Sequence, residues 1–488
     1  MRKLKSFLSI LVVVALMFSF VGCGSNNKTE TTNENTVTQG ASDVTTQEAT
    51  AAPTQAAVAE EPTYDYGGQV VKVYKGAFDA MKGDNPEQMW LDSKAAVEKK
   101  YNIVLEPVDV AVADGSNEYD EIVKSVAAGQ PVADLISIGR DFLAQMVMND
   151  CLEDLSDTIG NLKFASRYTD HGLWLGKYWG VGEYNVGACR TITYDRDLIQ
   201  QAGMTKTPTQ MFMEGKWSYA DFKQYLTDLK AKLPEGVYPC GFHPYHWAIF
   251  AAAANGVTLV DDNGKLNTTS DAFTEAMNFY QELLQEGLAK PATVDADGNY
   301  TWSYTLTSEV AMTLQEDWQL EGNTCNWGVT LMPWGSNVTV SGDYTTLSDK
   351  YHASYNNGGL LVVTKGAPDR TGIPEDVLLQ IAWDYHNADG RLQYMKDFYE
   401  QDQSGDKSYN AYKGMARSFT TEEDITLYDW MFSRAKFDNV STLENAGLVD
   451  LWDPACEVFE KYSDVRSTFE AQYNVDKAAL ETAGFPQN

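Results

Sequence analysis

Two spacings of apolar residues alternate along the first part of the chain. Residues 69–74 alternate between polar and apolar side chains and predict a strand, and residues 103–108 predict a second one. A nearly continuous apolar run at 133–138 is typical of a buried parallel strand. Helical spacing lies between these runs, with Trp90, Val97 and Tyr101 in the first helix and Tyr119, Ile122, Val123 and Val126 in the second. This β-α-β-α-β order predicts a parallel sheet with helices on both faces and a ligand crevice beyond the carboxyl ends of the strands.

A second unit begins near residue 189 and is also built from helices and strands. Ser218 and Asp221 predict a capping box, and Gly287 marks the end of a later helix. Residues 358–363 predict another buried strand, and the chain beyond 375 is mostly helical and aromatic. The helical positions are Phe222, Tyr225, Leu226 and Leu229, then Phe273, Met277, Tyr280 and Leu284.

The first 62 residues differ in composition from the rest of the chain, and they predict an export signal and a linker instead of a folded domain. A basic start at residues 2–5 precedes an apolar run over 7–21, which is the size of a signal peptide and short for a membrane span. Gly22 and Cys23 follow, and a small residue before a cysteine is typical of a lipoprotein cleavage site, although Phe20 stands where leucine is usual. Residues 24–62 are polar and predict a disordered tether. The alternative is an ordinary secretory peptide with a chance cysteine.

Size and charge limit what the remainder does. Residues 63–488 exceed what one hydrophobic core usually serves, so we expect two lobes. The net charge of −32 argues against nucleic acid as a partner, and against binding of anionic membranes through the folded part.

Metal and catalytic signatures are weak. The five cysteines after Cys23 form no CxxC pair, and we expect isolated buried thiols. Pro244 lies between His243 and His246 and disfavours a zinc site there, and the acidic residues at 295–297 fit a turn better than a calcium loop. Motifs of serine hydrolases, phosphate-binding loops and zinc proteases are absent from the sequence. We therefore predict no catalytic residues, no metal and no cofactor.

Aromatic residues cluster with carboxylates and amides at 174–185, 245–247, 316–319 and 355–357. Sugar rings stack on aromatic rings, and their hydroxyls bond to the planar groups of Asp, Glu, Asn and Gln. The clusters therefore indicate carbohydrate binding, and the alternative is that most of these aromatics fill the core.

Several segments carry a family pattern in the same order along the chain. They are Glu98 to Ile103, Ala128 to Leu135, Cys151 to Leu155, Tyr194 to Met204, Glu214 to Phe222, Ser308 to Trp318, and Gly328 to Gly335. Together they resemble the extracellular solute-binding proteins of bacterial ABC importers, in the group related to the maltose-binding protein. Departures from the family pattern occur in 128–135, where an extra residue precedes Asp134, and in 308–318, where glycine is replaced twice.

The resemblance implies an α/β, two-lobe fold of the periplasmic-binding-protein (Venus flytrap) type, with an interlobe cleft and several hinge crossings. The expected domain boundaries place a signal peptide at 1–22, the lipidated cysteine and tether at 23–62, and a first lobe at 63–187. The second lobe covers 188–356, the chain returns to the first lobe over 357–400, and a helical part spans hinge and second lobe at 401–488.

The resemblance also implies site residues and partners. Trp318 is the expected stacking residue, and the other candidates are Asp317, Trp247, Tyr184, Glu183, Tyr355, Asn356, Asp141 and Trp430. The expected partners are a small-molecule solute, an oligosaccharide in the leading hypothesis, and ABC permease subunits in the membrane, and no nucleic acid is expected to bind. We expect a monomer that contacts the membrane only through lipid on Cys23, on the outer face of the bacterial cell membrane.

Four hypotheses stay open at this point. The solute is an oligosaccharide in the leading hypothesis and a peptide, polyamine or sugar acid in the second. A cell-surface glycoside hydrolase and a scaffold lipoprotein without a ligand are the other two.

Overall fold

A computed structural model describes residues 64–74, 88–110, 117–164, 166–182, 190–296, 300–302, 305–320, 322–355, 358–386, 421–485 and 487. Its strands are β1 (Gln69–Tyr74), β2 (Ile103–Val108), β3 (Leu135–Gly139), β4 (Leu173–Trp174), β5 (Lys177–Tyr178), β6 (Val181–Gly182), β7 (Arg190–Asp195), β8 (Thr293–Val294), β9 (Tyr300–Thr301), β10 (Met312–Glu316), β11 (Trp327–Thr330), β12 (Ala353–Tyr355), β13 (Gly359–Val363) and β14 (Ala435–Phe437).

The described helices follow the same chain order. They are α1 (Gln88–Tyr101), α2 (Glu118–Ala127), α3 (Leu143–Met148), α4 (Ser166–His171), α5 (Arg196–Gln201), α6 (Pro208–Met213), α7 (Tyr219–Lys230), α8 (Pro244–Ala254), α9 (Asp271–Gln285), α10 (Asp317–Leu320), α11 (Ala367–Thr371), α12 (Glu375–His386), α13 (Glu422–Ser433), α14 (Val440–Asn445), α15 (Trp452–Lys461) and α16 (Val465–Thr482). None of these described helices is both long and apolar enough to cross a membrane.

The first lobe contains the predicted parallel strands and two further strands. The sheet order is β2-β1-β3-β13-β6, with β1 parallel to β2 and β3. β13 and β6 add antiparallel pairs that the local pattern did not predict. β3 begins at Leu135 rather than at residue 133, and just before it the Asp134 carboxylate accepts the Lys72 N–H at 2.8 Å.

Side chains on the two faces of this sheet enter different cores. Leu135, Leu361 and Val363 belong to a core that also contains residues of α1 and α12. Ile136 and Leu360 point to the other face and belong to a larger core that continues into the second lobe. Because successive side chains of a strand point to opposite faces, each of these strands contributes to two cores. One core lies within the first lobe, and the other is shared by both lobes.

The second lobe is built around an antiparallel sheet, β10-β7-β11. The predicted capping box is confirmed, since Ser218 and Asp221 bond to each other's backbone N–H groups at the start of α7. α8 is apolar on nearly all sides and is correspondingly buried. The limits predicted for the domains stay predictions, because 183–189, 356–357 and 387–420 lie outside the described residues.

Residues 435–445, here called the junction segment, contact both lobes. Its strand β14 pairs with β12 in parallel. The buried Asp438 carboxylate accepts backbone N–H groups of Leu259 at 2.6 Å and Val260 at 3.1 Å, both in the second lobe. Burial raises the pKa of Asp438 to about 7.

Arg140 ties the first lobe to the same segment. It directly follows β3 and is only 1% exposed. Its guanidinium donates to the Asn439 Oδ1 at 3.0 Å and the Thr442 Oγ1 at 3.3 Å, and lies 4.3 Å from the Phe437 ring centre. It also donates to two backbone carbonyls of the first lobe, those of His171 at 2.9 Å and Leu173 at 3.2 Å. Burial lowers the pKa of Arg140 to about 10, so it stays charged at neutral pH.

Replacing Arg140 with methionine is expected to lower the free energy of unfolding by about 3 kcal/mol, because several buried oxygens lose their donor. Chemical denaturation measures the loss. Arg466→Met is the control, since Arg466 forms an exposed ion pair with Asp271 and its replacement should leave the denaturation midpoint in place. Equal midpoints for the two variants would contradict the role of Arg140.

Candidate ligand-binding site

Several predicted site residues are not described by the structure. Glu183, Tyr184, Asn356 and Cys23 lie outside the described residues. Asp317 and Trp318 begin α10, directly after β10, but their side chains lie outside the described part. Their roles stay predictions.

Three predicted aromatic residues are described, and they pack against protein. Trp247 is completely buried, stacks on Tyr280 at 4.8 Å and donates its indole N–H to the Ala276 carbonyl at 2.9 Å. This position in the core of the second lobe does not offer the ring to a solute, so we leave Trp247 out of the site. Trp430 packs edge-to-face on Phe212 at 5.8 Å.

Tyr355 lies at the junction between the lobes. Its ring stacks on His171 at 5.8 Å and meets Phe437 edge-on at 5.2 Å. Tyr355 is therefore partly buried because its ring packs against His171 and Phe437. Contact between a ligand and the rest of its surface stays a prediction.

Asp141 is held at the carboxyl end of β3, where the parallel-sheet rule expects a ligand crevice. Asn445 donates its side-chain N–H to the Asp141 Oδ2 at 3.0 Å. Burial raises the pKa of Asp141 to about 6, and the negative charge of Glu316 acts in the same direction. Asp141 of the first lobe therefore lies within electrostatic range of the end of β10 in the second.

An aromatic surface lies at the start of α8, and sequence reasoning missed its main member. We call His243, Tyr245, His246 and Trp452 the aromatic wall. The Trp452 ring lies 4.5 Å from His243 and 5.2 Å from Tyr245, centre to centre, and Trp452 is 43% exposed. His243 and His246 lie 5.1 Å apart. An exposed indole supported by two rings is the kind of surface on which a ligand ring stacks.

Glu444 connects the wall to the region of Asp141. Its carboxylate accepts the Tyr245 hydroxyl at 2.6 Å and the backbone N–H groups of Leu451 at 2.8 Å and Trp452 at 3.2 Å. Its neighbour in sequence, Asn445, is the residue that bonds to Asp141. One turn of α14 thus holds a polar group of the first lobe next to the aromatic wall of the second.

An ion pair lies near the same wall. Arg190 and Glu316 face each other across the β7–β10 pair, and the Arg190 guanidinium bonds to the Glu316 carboxylate at 2.5 Å. Burial, with a smaller contribution from the positive charge of Arg190, lowers the pKa of His243 to about 3. The pKa of His246 is also lowered by burial and by Arg190, so both imidazoles are neutral at physiological pH.

Trp452 could not be recognised from its spacing. Trp452, Ala455 and Phe459 follow the i, i+3, i+7 pattern of a buried helix face, and the latter two are indeed buried. A tryptophan at the first position of a helix, beside an Asp-Pro pair, is a faint signal of exposure.

A surface cavity of about 580 Å³ between α7 and α9 is a weaker candidate. Its Glu275 carboxylate already bonds to Asn255 and Ser336, and Glu282 pairs with Lys223. Both carboxylates are therefore already engaged in contacts within the protein.

Glu444 makes stability depend on pH in a defined window. Its pKa is raised by burial from 4.5 to about 7, so the folded state binds a proton that the unfolded state has released between these values. The free energy of unfolding of the wild type relative to Glu444→Gln should fall as pH rises from about 4.5 to about 7, by up to about 1.4 kcal/mol per pH unit, and then stay constant. Denaturant titrations at pH 5, 6, 7 and 8 measure it. A difference that rises with pH would contradict the assigned direction.

One family model matches the chain, and several solved structures share its fold. The model of the bacterial extracellular solute-binding protein family matches residues 92–372. No curated protein matches the chain. Among solved structures, the chain is similar to an ABC substrate-binding protein from Listeria monocytogenes in complex with cycloalternan, at 14% identity and a TM-score of 0.56, covering 86% of this chain and 100% of that one.

Two further similar structures carry different solutes. One is a cyclo/maltodextrin-binding protein complexed with maltotetraose, at 16% identity and a TM-score of 0.56, covering 87% of this chain and 99% of that one. The other is UgpB from Mycobacterium tuberculosis in complex with glycerophosphocholine, at 14% identity and a TM-score of 0.53, covering 85% of this chain and 99% of that one. These similarities confirm the two-lobe fold. The match over more than half of its length shows that the chain belongs to the bacterial extracellular solute-binding protein family.

Proposed function

We propose that this protein captures a carbohydrate, specifically an oligosaccharide, in the cleft between its lobes and delivers it to the permease of an ABC transporter. The observation that carries the proposal is the aromatic wall, where the exposed Trp452 ring is flanked by Tyr245 and His243. Carboxylate and amide groups of Asp141, Glu444 and Asn445 lie along the same region.

The electrostatics of the described site favour a neutral solute. Arg190 is paired with Glu316, and the imidazoles of His243 and His246 are neutral because burial lowers their pKa. Stacking surfaces with hydrogen-bonding groups suit a polyhydroxylated ring better than a polyamine, because several cationic amines would need several fully ionised carboxylates and the pKa values of Asp141 and Glu444 are both raised. The similar structures that hold cycloalternan and maltotetraose support the same class.

A second candidate is a small polar solute that is not a sugar. The similar structure in complex with glycerophosphocholine favours it, because it shows that this fold accommodates a solute of that kind.

Capture requires that the solute stabilise the closed arrangement of the lobes more than the open one. Micromolar affinity corresponds to about −8 kcal/mol. A few stacked rings and about six hydrogen bonds, at about 1 kcal/mol net each, reach that value after ordering costs. Trp318 and Asp317 on α10, with Glu183, Tyr184, Tyr355 and Asn356, are the residues we propose to complete the site.

The proposal includes a membrane anchor outside the described residues. Lipid on Cys23 would hold a monomer at the outer face of the cell membrane, with residues 24–62 as a tether. Cys23→Ser should move the protein from the membrane fraction to the medium, and retention in the membrane would contradict the anchor.

Thermal unfolding of residues 63–488 against a panel of solutes tests the class. A ligand at 100 times its Kd should stabilise the protein by about 2.7 kcal/mol. We expect oligosaccharides to raise the melting midpoint, and spermidine, peptides and glycerophosphocholine to leave it unchanged. A shift with glycerophosphocholine alone would favour the second candidate, and chromatography of the recovered sugar should show no cleavage.

Replacing Trp452 with alanine should raise the Kd of the bound oligosaccharide by about 10- to 100-fold, because a stacking surface is lost. Calorimetric titration measures it. Tyr462→Ala is the matched control, since Tyr462 is a similarly exposed aromatic (46%) that follows the far end of α15. Equal affinities in the wild type and Trp452→Ala would show that the aromatic wall does not contact the solute.

A further inference from the structure

We propose that the Arg190–Glu316 ion pair is a positioning device that fixes the Asp317–Trp318 turn and thereby sets the affinity for the solute. This inference rests on the proposed function, in which Trp318 and Asp317 contact the solute. Arg190 and Glu316 would act through the turn without touching the solute themselves.

Arg190 contacts the residues on both sides of the Asp317–Trp318 turn. Glu316 is the last residue before the Asp317–Trp318 pair and Gln319 the first after it. The Gln319 Oε1 accepts the backbone N–H of Glu316 at 2.8 Å, and Arg190 donates to the same oxygen at 3.4 Å. Arg190 therefore bonds to the residue before the turn and to the residue after it.

A second tie closes the same segment from the neighbouring position of β10. The side-chain amides of Gln315 and Asn323 bond to each other reciprocally, at 2.9 Å and 3.2 Å. The Gln315–Asn323 pair and the contacts of Arg190 therefore lie on both sides of Asp317 and Trp318 along the chain, and together they limit the backbone conformations available to these two residues.

Burial makes the ion pair a rigid reference point. The side chains of Arg190 and Glu316 are only 9% and 10% exposed. The guanidinium also lies 6.0 Å from the centre of the Phe250 ring, which belongs to the buried helix α8. A guanidinium that lies against a helix and pairs with a carboxylate on the neighbouring strand has few accessible conformations. The Glu316 and Gln319 side chains that accept its hydrogen bonds are therefore also restricted.

A matched control exists at the other end of β7. Arg196 directly follows this strand and bonds to the Asp424 carboxylate, which is 1% exposed. Arg196→Leu removes a partly buried ion pair of the same lobe without touching the contacts of Arg190 around α10. It therefore reports what general destabilisation alone does to binding.

The experiment is a double-mutant cycle with oligosaccharide affinity as the readout. Arg190→Leu should raise the Kd about tenfold in the wild-type background and less than twofold in the Trp318→Ala background, because the effect passes through the turn. Arg196→Leu should leave the Kd unchanged in both. Equal losses for Arg190→Leu in the two backgrounds would overturn the proposal.

A second readout needs no solute. In protein labelled with 5-fluorotryptophan, the Trp318 resonance is assigned by its loss in Trp318→Phe. It should shift or broaden in Arg190→Leu and stay in place in Arg196→Leu. An unchanged resonance in Arg190→Leu would overturn the positioning role. If the wild type binds no oligosaccharide, the carbohydrate proposal fails, and the fluorine spectra still decide the role of Arg190.

Discussion

A buried cation holds the architecture together at the place where the lobes meet. Arg140 leaves the carboxyl end of β3 and bonds to backbone carbonyls of its own lobe and to side chains of the junction segment. The same segment is fixed to the second lobe through Asp438. Since an isolated charge is costly in the interior, the stability of this position depends on the four oxygens to which the guanidinium donates. The geometry of the site follows from it, because Asp141 and Asn445 are set by the same two elements.

Burial and pairing limit the charge that the ionisable groups of the site carry. Burial raises the pKa of Asp141 and Glu444 and lowers that of His243. Arg190 keeps its charge next to Glu316. The charge of the described site therefore depends on these local environments more than on the net charge of the chain, and Asp141, with a pKa of about 6, is mostly ionised at neutral pH.

Sequence predicted the local features well and the remote ones poorly. β1 and β2 and the cap of α7 were predicted correctly because alternation and a four-residue capping box are local. The place of β13 between β3 and β6 was not, because it depends on pairing between distant segments. Burial of Trp247 is decided by α9, and the partnership of Arg190 with Glu316 joins residues 126 positions apart. Neither leaves a periodic signal.

The sheet order has a consequence for the time at which the molecule folds. β13 lies between β3 and β6, although it is made long after both of them. The first lobe therefore cannot complete its sheet until the second lobe has been synthesised, and closing so long a loop slows folding. Until residues 359–363 have been made, the emerging chain therefore leaves β3 without its antiparallel neighbour, and an unpaired strand edge is a surface that pairs readily with other chains. The order of synthesis thus makes the last strand of this sheet the one that protects its centre.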